Sequence, residues 1–494
     1  MTLPGAQMGS LRSLLTAAAL AILPAPVLAE TVTLRSPSGL AISGAFVAYD
    51  GEFYRIETDH GEVTVAGTDL TCEGSDCPGD VIERLTFAAA DSSVKRLAVA
   101  LLRAFAASKD WHVVETHDEA GPVEIAMGEA PEHPGFVVSF RDDPAAWRFR
   151  RDPGRLPPTG WRDTPVAFDA LVPAVSVENQ VTGLTLLGVR AALAGEFPDW
   201  LGLGGGEMPV IVHWAEGLAG PLTERYGIVP DAAATMHEDI GDAADAVART
   251  PGGLGLLPLS EIGSAVPLVV TGPCGRGAVG VPPAIRTGDY PLSETVFLRH
   301  PARRSPPLAR SFLDWLDSPG AEAAVRRAGF VDLRVGIVPR GRDGRQEADP
   351  LALASTGVGG IETSMQAELG GARRLDIAIR FRDGSSLPDL AARVQIARLA
   401  RAIASGRFDG DRLILAGFSD ANGAAATNLQ LSQRRAEAIR AAVLAELVTG
   451  ERLTALEARG FGEAMPVACN GVDWGESLNR RVEVWLAEED GDQR

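Results

Sequence analysis

The segment LILAGFSDANGAAATNLQLSQRRAEAIRAAVL, residues 413–444, decides the fold of the C-terminal part of the chain. Its first six residues form an apolar run that predicts a strand, and a long helix is predicted over Asn428–Leu447, with a Thr427…Gln430 capping box at its start. Further elements are predicted on both sides: strand Leu375–Phe381, helix Leu390–Ile403, and strands Leu453–Arg459 and Arg481–Leu486. This order predicts a βαβαββ domain of the α+β class.

The long helix carries one charged residue on its apolar stripe. Leu431, Ile439 and Val443 follow a four-residue spacing, and Arg435 falls on the same line. A guanidinium on the covered face of a helix needs an anionic partner, because an unpaired buried charge costs several kcal/mol. Asp420 precedes the helix closely enough to approach its early turns. Two interpretations stay open: a structural Asp420–Arg435 pair that orients the loop, or a site where the two residues and helix N-terminal amides hold a zwitterion.

The motifs of this region resemble those of the OmpA-like peptidoglycan-binding domain. They are GFSD at 417–420, NLQLSQRRA at 428–436, GFGE at 460–463 and NRRVE at 479–483. The resemblance covers about residues 372–487. It implies non-covalent binding of the diaminopimelate of peptidoglycan stem peptides.

The same resemblance implies roles for individual residues. Asp420 and Arg435 stand at the positions that match the family's ligand-binding acid and base, and Asn428 matches a loop asparagine that assists them. Ser419 replaces the usual threonine and keeps the hydroxyl. Arg481 lies in the NRR motif and is a further candidate for peptidoglycan binding.

Residues 80–335 alternate predicted strands with predicted helices. The helices are expected at Val94–Ala107, Leu186–Leu193, Ala243–Arg249, Leu308–Leu316 and Ala321–Ala328. Such alternation predicts an α/β domain with a mostly parallel sheet, and the length favours two lobes. The stretches FDALVP at 168–173, PGGLGL at 251–256 and GDYPLS at 288–293 resemble the PstS-type phosphate-binding proteins of ABC transporters. That resemblance implies a two-lobed, periplasmic-binding-protein-like domain with a cleft.

The resemblance also places a candidate anion site in the loops of this domain. Asp91, Ser92 and Ser93 open a helix after a strand, where hydroxyls and backbone amides can hold an oxyanion, although ordinary helix capping needs the same residue types. Ser139 and Arg141 stand near the family's second anion-binding loop. The family's third loop, serine-glycine-threonine, reads AEGLAG at 215–220 here, and its carboxylate and apolar groups disfavour phosphate. Phosphate or another small oxyanion is the expected ligand.

The first 29 residues predict a signal peptide. Arg12 supplies the positive charge, Leu14–Leu23 the apolar run, and a small-residue site allows cleavage after Ala29. We therefore expect an exported chain that begins at Glu30.

Residues 30–79 predict a small β module, because apolar and polar residues alternate between turn signals. Cys72 and Cys77 frame a short polar loop and are expected to form a disulfide in an oxidising compartment; two free thiols are the alternative. Cys274 and Cys469 stand alone in the sequence, and their pairing is left open.

The composition excludes several classes of function. The chain has 46 Lys plus Arg against 65 Asp plus Glu, a formal charge of −19, which argues against nucleic acid and anionic membrane surfaces as partners. No apolar run after the signal peptide reaches about 18 residues, so no transmembrane segment is expected in the mature chain. Zinc-site spacings, a nucleophile elbow and a phosphate-binding P-loop are also missing from the sequence. We expect no metal, no cofactor and no enzymatic activity.

The sequence as a whole predicts a multidomain α/β protein of the periplasm, associated with the cell wall and outer membrane. Its expected parts are a signal peptide (1–29), the β module (30–79), the PstS-like domain (80–335), a flexible linker (336–371), the OmpA-like domain (372–487) and an acidic tail (488–494). The expected function is anion binding by a protein anchored to peptidoglycan. One alternative is a structural envelope protein whose middle domain has lost its ligand and serves as a protein-interaction surface. Another is a cell-wall hydrolase, for which no motif argues.

Overall fold

The computed structural model describes part of the chain in detail: residues 31–49, 52–67, 70–75, 77, 82–118, 121–151, 156–218, 222–223, 227–272, 277–303, 305–339, 359–381, 384–386, 388, 392–447, 455–471 and 473–488. The predicted signal peptide, Cys274, residues 340–358 of the predicted linker and the acidic tail from residue 489 lie outside the described residues. The chain divides into two compact units, Met1–Val81 and Ile82–Arg494.

The first unit contains the predicted β module. Its strands are β1 (Thr31–Arg35), β2 (Ala41–Tyr49), β3 (Phe53–Thr58), β4 (Gly61–Ala66) and β5 (Thr71–Glu73). They form an antiparallel sheet in the order β4-β3-β2-β1-β5. Alternate residues such as Val32, Leu34 and Ile56 point to one face and are buried, as the sequence pattern predicts. The disulfide between Cys72 and Cys77 is confirmed.

The middle domain belongs to the second unit. Its strands are β6 (Glu83–Ala89), β7 (His112–Asp118), β8 (Gly121–Gly128), β9 (Phe136–Phe140), β10 (Trp147–Arg151), β11 (Trp161–Val175), β12 (Gly183–Thr185), β13 (Ile211–Ala215), β14 (Thr235–His237), β15 (Gly253–Pro258), β16 (Val266–Pro267), β17 (Val269–Thr271), β18 (Gly277–Ala278) and β19 (Ser293–Pro301). Its helices include α1 (Ser92–Ala107), α2 (Leu186–Leu193), α3 (Ile240–Arg249), α4 (Pro282–Thr287), α5 (Pro307–Trp315) and α6 (Pro319–Arg327). Helix α2 has the predicted bounds.

One 11-stranded sheet runs through this domain in the order β14-β13-β15-β11-β19-β10-β6-β9-β8-β7, with β16 paired to β11. Four of its strand pairs are parallel and six are antiparallel. The prediction of a mostly parallel sheet is therefore wrong. An apolar run such as that of β11 predicts burial on both faces, but it carries no information on the direction of the neighbouring strand.

Two hydrophobic cores lie along this sheet, which fits the prediction of two lobes. One is built around α1 and includes Phe87, Phe105 and Phe312. The other includes Trp200 and Trp214 and packs against α3. The long strands β11 and β19 contribute residues to both cores and so connect the two lobes.

The C-terminal domain follows the predicted order of elements. They are α7 (Gly359–Leu369), β20 (Arg373–Arg380), α8 (Ala392–Ala404), β21 (Asp411–Gly417), α9 (Ala425–Glu446), β22 (Ala455–Gly460), α10 (Asp473–Asn479) and β23 (Arg481–Glu488). The sheet order is β20-β23-β21-β22, and a short helix, α10, stands between the last two strands. The prediction of a Thr427…Gln430 capping box is wrong, because α9 already begins at Ala425. Ala424 caps the helix without a side-chain hydrogen bond.

Two glycines allow α9 to lie directly on the sheet. A Cβ at Gly417 would come within 2.1 Å of the carbonyl oxygen of Ser432, and one at Gly460 within 2.4 Å of the backbone nitrogen of Gln433. Real Cβ atoms do not approach other atoms so closely, so both positions need glycine. The close approach brings the loop after β21 under the first turns of α9.

The first residues of the predicted flexible linker are paired with the C-terminal sheet. Ile337 forms a β-bridge with Leu375. The backbone N–H of Val338 donates to the carbonyl of Arg374 at 2.8 Å, and that of Asp376 donates to the carbonyl of Gly336 at 2.9 Å. Residues 336–338 thus form an extra edge on β20, and helix α7 occupies the end of the predicted linker. The prediction of a flexible segment is wrong for residues 336–338.

Side chains also join the middle domain to the C-terminal domain. Arg286 donates to Asp376 at 3.0 Å, and Arg380 donates to Asp289 at 2.7 Å. The side chain of Gln395 on α8 donates to the carbonyl of Arg286 at 2.6 Å. These bonds come from α4 and the residues after it on one side, and from β20 and α8 on the other.

Candidate functional site

Asp420 stands in the loop after β21 and is nearly buried, with 7% of its surface exposed. Its carboxylate accepts a hydrogen bond from Arg480 at 2.9 Å and one from the backbone N–H of Asn422 at 3.2 Å. The side chain of Asn428, in the first turns of α9, donates to the carbonyl of Asp420 at 3.3 Å. The structure therefore brings Asp420 and Asn428 together and fixes the loop against the helix.

Arg435 is fully buried on the apolar stripe of α9, together with Ile439 and Val443. Its guanidinium donates to the carbonyl of Ser385 at 2.9 Å and to that of Phe418 at 3.4 Å, and it lies over the ring of Phe381 at 5.2 Å. The ion pair described for Asp420 is with Arg480, not with Arg435. The simple structural pair that the sequence left open is thus not the arrangement seen.

Arg480 and Arg481 are consecutive but do different things. Arg481 is fully buried, donates to Glu483 at 2.8 Å and to the carbonyl of Met465 at 2.9 Å, and lies 4.3 Å over the ring of Phe418. Arg480 reaches Asp420 instead. Sequence analysis selected Arg481 and missed Arg480. The available signal was alternation along β23, which places Arg481 on the same side as Glu483 and turns Arg480 the other way.

Ser419 is buried between Phe418 and Asp420, with 3% of its surface exposed. Its backbone N–H donates to the carbonyl of Gly462 at 2.8 Å. Within the described part of the chain its hydroxyl has no hydrogen-bond partner. A buried hydroxyl is normally satisfied, so this unsatisfied group next to Asp420 marks the loop as a candidate for ligand contact.

The middle domain contains a second charged cluster, at the N-terminus of α1. Asp91 caps this helix: its carboxylate accepts from the backbone N–H of Val94 at 2.9 Å and from the hydroxyl of Ser93. Arg151, the last residue of β10, donates to Asp91 at 2.8 Å and to the hydroxyl of Ser93 at 2.6 Å. The cation beside the Asp91–Ser93 loop is therefore Arg151, which sequence analysis did not select.

Arg151 has two further carboxylate partners. It donates to Asp169 at 3.0 Å and to Glu294 at 3.2 Å. Asp169 also accepts from the hydroxyl of Ser260 at 2.7 Å. Three carboxylates around one guanidinium give this cluster a net negative charge when all are ionised, which opposes the binding of an anion.

The pKa values in the cluster follow from these contacts. Burial alone would raise the pKa of Asp91, but Arg151, Ser93 and Val94 together hold it below its ordinary value. Burial alone would lower the pKa of Arg151, but its three carboxylates raise that pKa well above the ordinary value. Asp91 and Arg151 are therefore an ionised pair at neutral pH.

Within the described part of the chain, the side chains of the remaining predicted anion-binding residues, Ser92, Ser139 and Arg141, form no hydrogen bond with this cluster. Ser139 on β9 donates to Glu124 at 3.1 Å, and Arg141 is exposed after the end of that strand. The hydroxyl of Ser92 has no hydrogen-bond partner in the described part. A Cβ built on Gly217, in the predicted third loop, would lie 3.5 Å from the Cβ of Asp91, so that loop packs directly against the cap of α1.

The ranges that the structure describes also bear on metal binding and on membrane insertion. Within those ranges, no group of three or more His, Cys, Asp or Glu side chains is suited to hold a metal ion. No helix among them combines the length and the hydropathy that a membrane crossing requires. Cys469 is disulfide-bonded.

Comparison with known proteins identifies the C-terminal region. The model of the OmpA family matches residues 380–480. Outer membrane porin F of Pseudomonas fluorescens is 41% identical over 70 residues, which are 14% of this chain and 21% of the porin. The chain spans between 19% and 52% of the length of the curated relatives it matches.

Solved structures are similar to two parts of the chain. The peptidoglycan-associated lipoprotein of Burkholderia pseudomallei is 24% identical with a TM-score of 0.20 and covers 22% of this chain and 88% of its own. An ABC-type phosphate transport receptor from Vibrio cholerae is 16% identical with a TM-score of 0.39 and covers 50% of this chain and 99% of its own. The family match, which includes β21, α9 and the loop with Asp420, shows that residues 380–480 form an OmpA-family domain.

Proposed function

We propose that the C-terminal domain binds peptidoglycan non-covalently through the diaminopimelate of its stem peptides. The chain is then a periplasmic protein held at the cell wall, near the outer membrane. Asp420 receives the ammonium of the diaminopimelate, and Arg435 with the N-terminal amides of α9 receives its carboxylate. Asn428 and Arg480 position Asp420, and Ser419 supplies a hydroxyl beside it.

One observation carries this proposal: Asp420, Asn428 and Arg435 converge on the three residues that follow β21. Asn428 bonds the backbone of Asp420, and Arg435 bonds that of Phe418. The acid and the base are thus held on either side of one short loop by separate partners. Such a separation suits a zwitterionic ligand, because each of its charged groups meets a group of opposite charge.

Co-sedimentation of the full chain with purified diaminopimelate-type peptidoglycan tests the proposal. Asp420→Asn and Arg435→Lys are expected to weaken binding at least about tenfold, since each removes a charge-assisted or two-pronged contact. Arg434→Gln, at the exposed neighbouring position on α9, is the matched control and should bind like the wild type. Circular dichroism establishes that each variant is folded. Wild-type binding by both folded site variants would overturn the assignment.

For the middle domain we propose a role in protein interaction rather than in phosphate binding. The observation that favours it is that Arg151 forms ion pairs with Asp91, Asp169 and Glu294. An incoming oxyanion would therefore face three carboxylates. In calorimetric titrations with phosphate at pH 5.5 and 8.5, we expect that substitution of Arg141 or Ser92 does not change the heat of binding. Saturable binding that is lost in Arg141→Ala would restore the anion-binding interpretation.

A further inference from the structure

A cavity of about 450 Å³ lies where the middle domain meets the C-terminal domain. Helices α5 and α6 and the residues that follow them form one wall, and α8 with the turn after it forms the other. It is separate from the loop of Asp420 and from the Asp91 cluster, since neither contributes a residue to its lining. Neither of the roles proposed above uses it.

Four arginines line the cavity, and two of them are already neutralised. Arg398 donates to Asp376 at 3.2 Å and to Gln395 at 2.6 Å, while burial lowers its pKa to about 10. Arg401 forms an ion pair with Asp317 at 2.8 Å. These two residues therefore build the cavity wall and hold α8 in place.

The other two arginines that line the cavity, Arg334 and Arg407, are exposed to solvent. Neither has a side-chain hydrogen bond or an ion pair to a residue in the described part of the chain. Burial lowers the pKa of Arg407 and the positive charge of Arg334 lowers it further, while the negative charges of Asp376 and Glu322 raise it. The remaining carboxylate of the lining, Glu322, has its pKa raised by burial and by Asp332, although the charges of Arg334 and Arg407 partly oppose this rise.

Apart from Ser405, the rest of the lining is apolar. Leu101, Val166, Leu316 and Val325 supply side chains from the middle domain, and Leu333 and Val335 add others from the segment that leads to β20. A cavity with a largely hydrocarbon surface and two positively charged side chains suits a ligand that has an apolar body and an anionic group.

We propose that this cavity binds a small organic anion, whose carboxylate or phosphate is held by Arg334 and Arg407 and whose apolar body packs on the leucine and valine side chains. An anion between the two guanidinium groups relieves their repulsion and forms two-pronged hydrogen bonds. Because both domains supply the walls, the bound ligand also strengthens the contact between them.

Isothermal titration calorimetry on the full chain tests this proposal with four probes. Phenyl phosphate and benzoate carry both a charge and an apolar body, inorganic phosphate has only the charge, and benzyl alcohol has only the body. We expect the first two to bind and the last two to bind at least about tenfold more weakly, since each lacks one half of the interaction. The stronger of the first two identifies the charged group that the site prefers.

Variants locate the binding. Arg334→Gln and Arg407→Gln should each weaken the binding of the preferred probe by about tenfold, as expected for loss of a charge-assisted hydrogen bond. Arg249→Gln, an exposed arginine on α3 that pairs with Asp245, is the matched control and should have no effect. Asp420→Asn should also have no effect, which separates this site from the peptidoglycan site. Absence of binding by every probe, unchanged binding in both cavity variants, or loss of binding only in Asp420→Asn would overturn the proposal.

Discussion

The charged clusters of the middle domain and the C-terminal domain are built in opposite ways. At the N-terminus of α1, one guanidinium, that of Arg151, meets three carboxylates and a serine hydroxyl. In the loop after β21, one carboxylate, that of Asp420, meets one guanidinium, that of Arg480, while Arg435 is bonded to main-chain carbonyls nearby. In the first cluster the acidic and basic side chains bond to one another. In the second cluster Asp420 and Arg435 are each bonded to different partners.

The difference shows that the presence of ligand-type residues does not make a binding site. Asp91, Ser92 and Ser93 have the chemistry that an oxyanion site uses, and they stand at a helix N-terminus as such a site requires. The protein's own Asp169 and Glu294 nevertheless take the hydrogen bonds of Arg151. A saturated network contributes to stability, whereas separately held charges can contribute to recognition.

The largest expected effect is the loss of Arg151. Arg151→Met removes the cation and leaves Asp91, Asp169 and Glu294 close together and almost fully buried, which should lower the free energy of unfolding by about 3–5 kcal/mol. Urea denaturation measures the change. Arg148→Met, on the same strand and paired with exposed Asp142, is the control and should cost less than about 1 kcal/mol. Equal effects of the two substitutions would show that the buried network of Arg151 stabilises the fold no more than an exposed ion pair does.

A smaller effect is expected at Arg480. Arg480→Gln leaves the nearly buried carboxylate of Asp420 with the backbone N–H of Asn422 as a remaining donor, so it should lower stability by about 1–3 kcal/mol. It should also weaken peptidoglycan co-sedimentation, but less than Asp420→Asn does, because Arg480 positions the acid without contacting the ligand. Arg459→Gln, which breaks a partly exposed pair with Glu368, serves as the control. Loss of wall binding as complete as in Asp420→Asn would make Arg480 a ligand-contacting residue.

The smallest expected effect is a difference in acid sensitivity. The pKa of Asp91 is below its ordinary value of 3.8, so its ionised form stabilises the fold fully above that pH. This contribution is lost as the pH falls below 3.8 through the lowered value, because the unfolded chain then binds the proton more readily. The stability gap between the wild type and Asp91→Asn should therefore narrow as the pH falls from 6 to 3. Asp142→Asn, at an exposed position, is the control for a general charge effect. A constant gap would mean that Asp91 contributes only as a helix cap.

Sequence reasoning was most successful where one helix or strand contained the whole signal. The bounds of α2 and the burial of Arg435 follow from the spacing of apolar residues in a single segment. Arg151 had a signal of the same kind, because Trp147, Phe149 and Arg151 alternate on the buried face of β10. An arginine that continues an apolar face calls for a buried partner, as Arg435 does, and this pattern was available before the structure.

Other features depended on which strands become neighbours, and no local pattern contains that information. Asp169 lies on β11 and Glu294 on β19, and only the pairing of β19 with both β10 and β11 brings the two carboxylates to Arg151. The direction of β11 relative to β19 could also not be predicted, since antiparallel and parallel strands have the same apolar runs when both faces are buried. The partner of Asp420 is a different case, because the alternation along β23 distinguishes Arg480 from Arg481 without knowledge of the neighbouring strands.

The pairing of residues 336–338 with β20 has a mechanical consequence. A domain that is tied to the wall through a slack tether can move by the length of the tether before any load reaches its neighbour. Here the backbone hydrogen bonds of Gly336 and Val338 and the bond between Arg286 and Asp376 leave no slack at that junction. In the attachment to peptidoglycan proposed above, a pull on the loop of Asp420 would pass through the C-terminal sheet to α4 and the core of the middle domain.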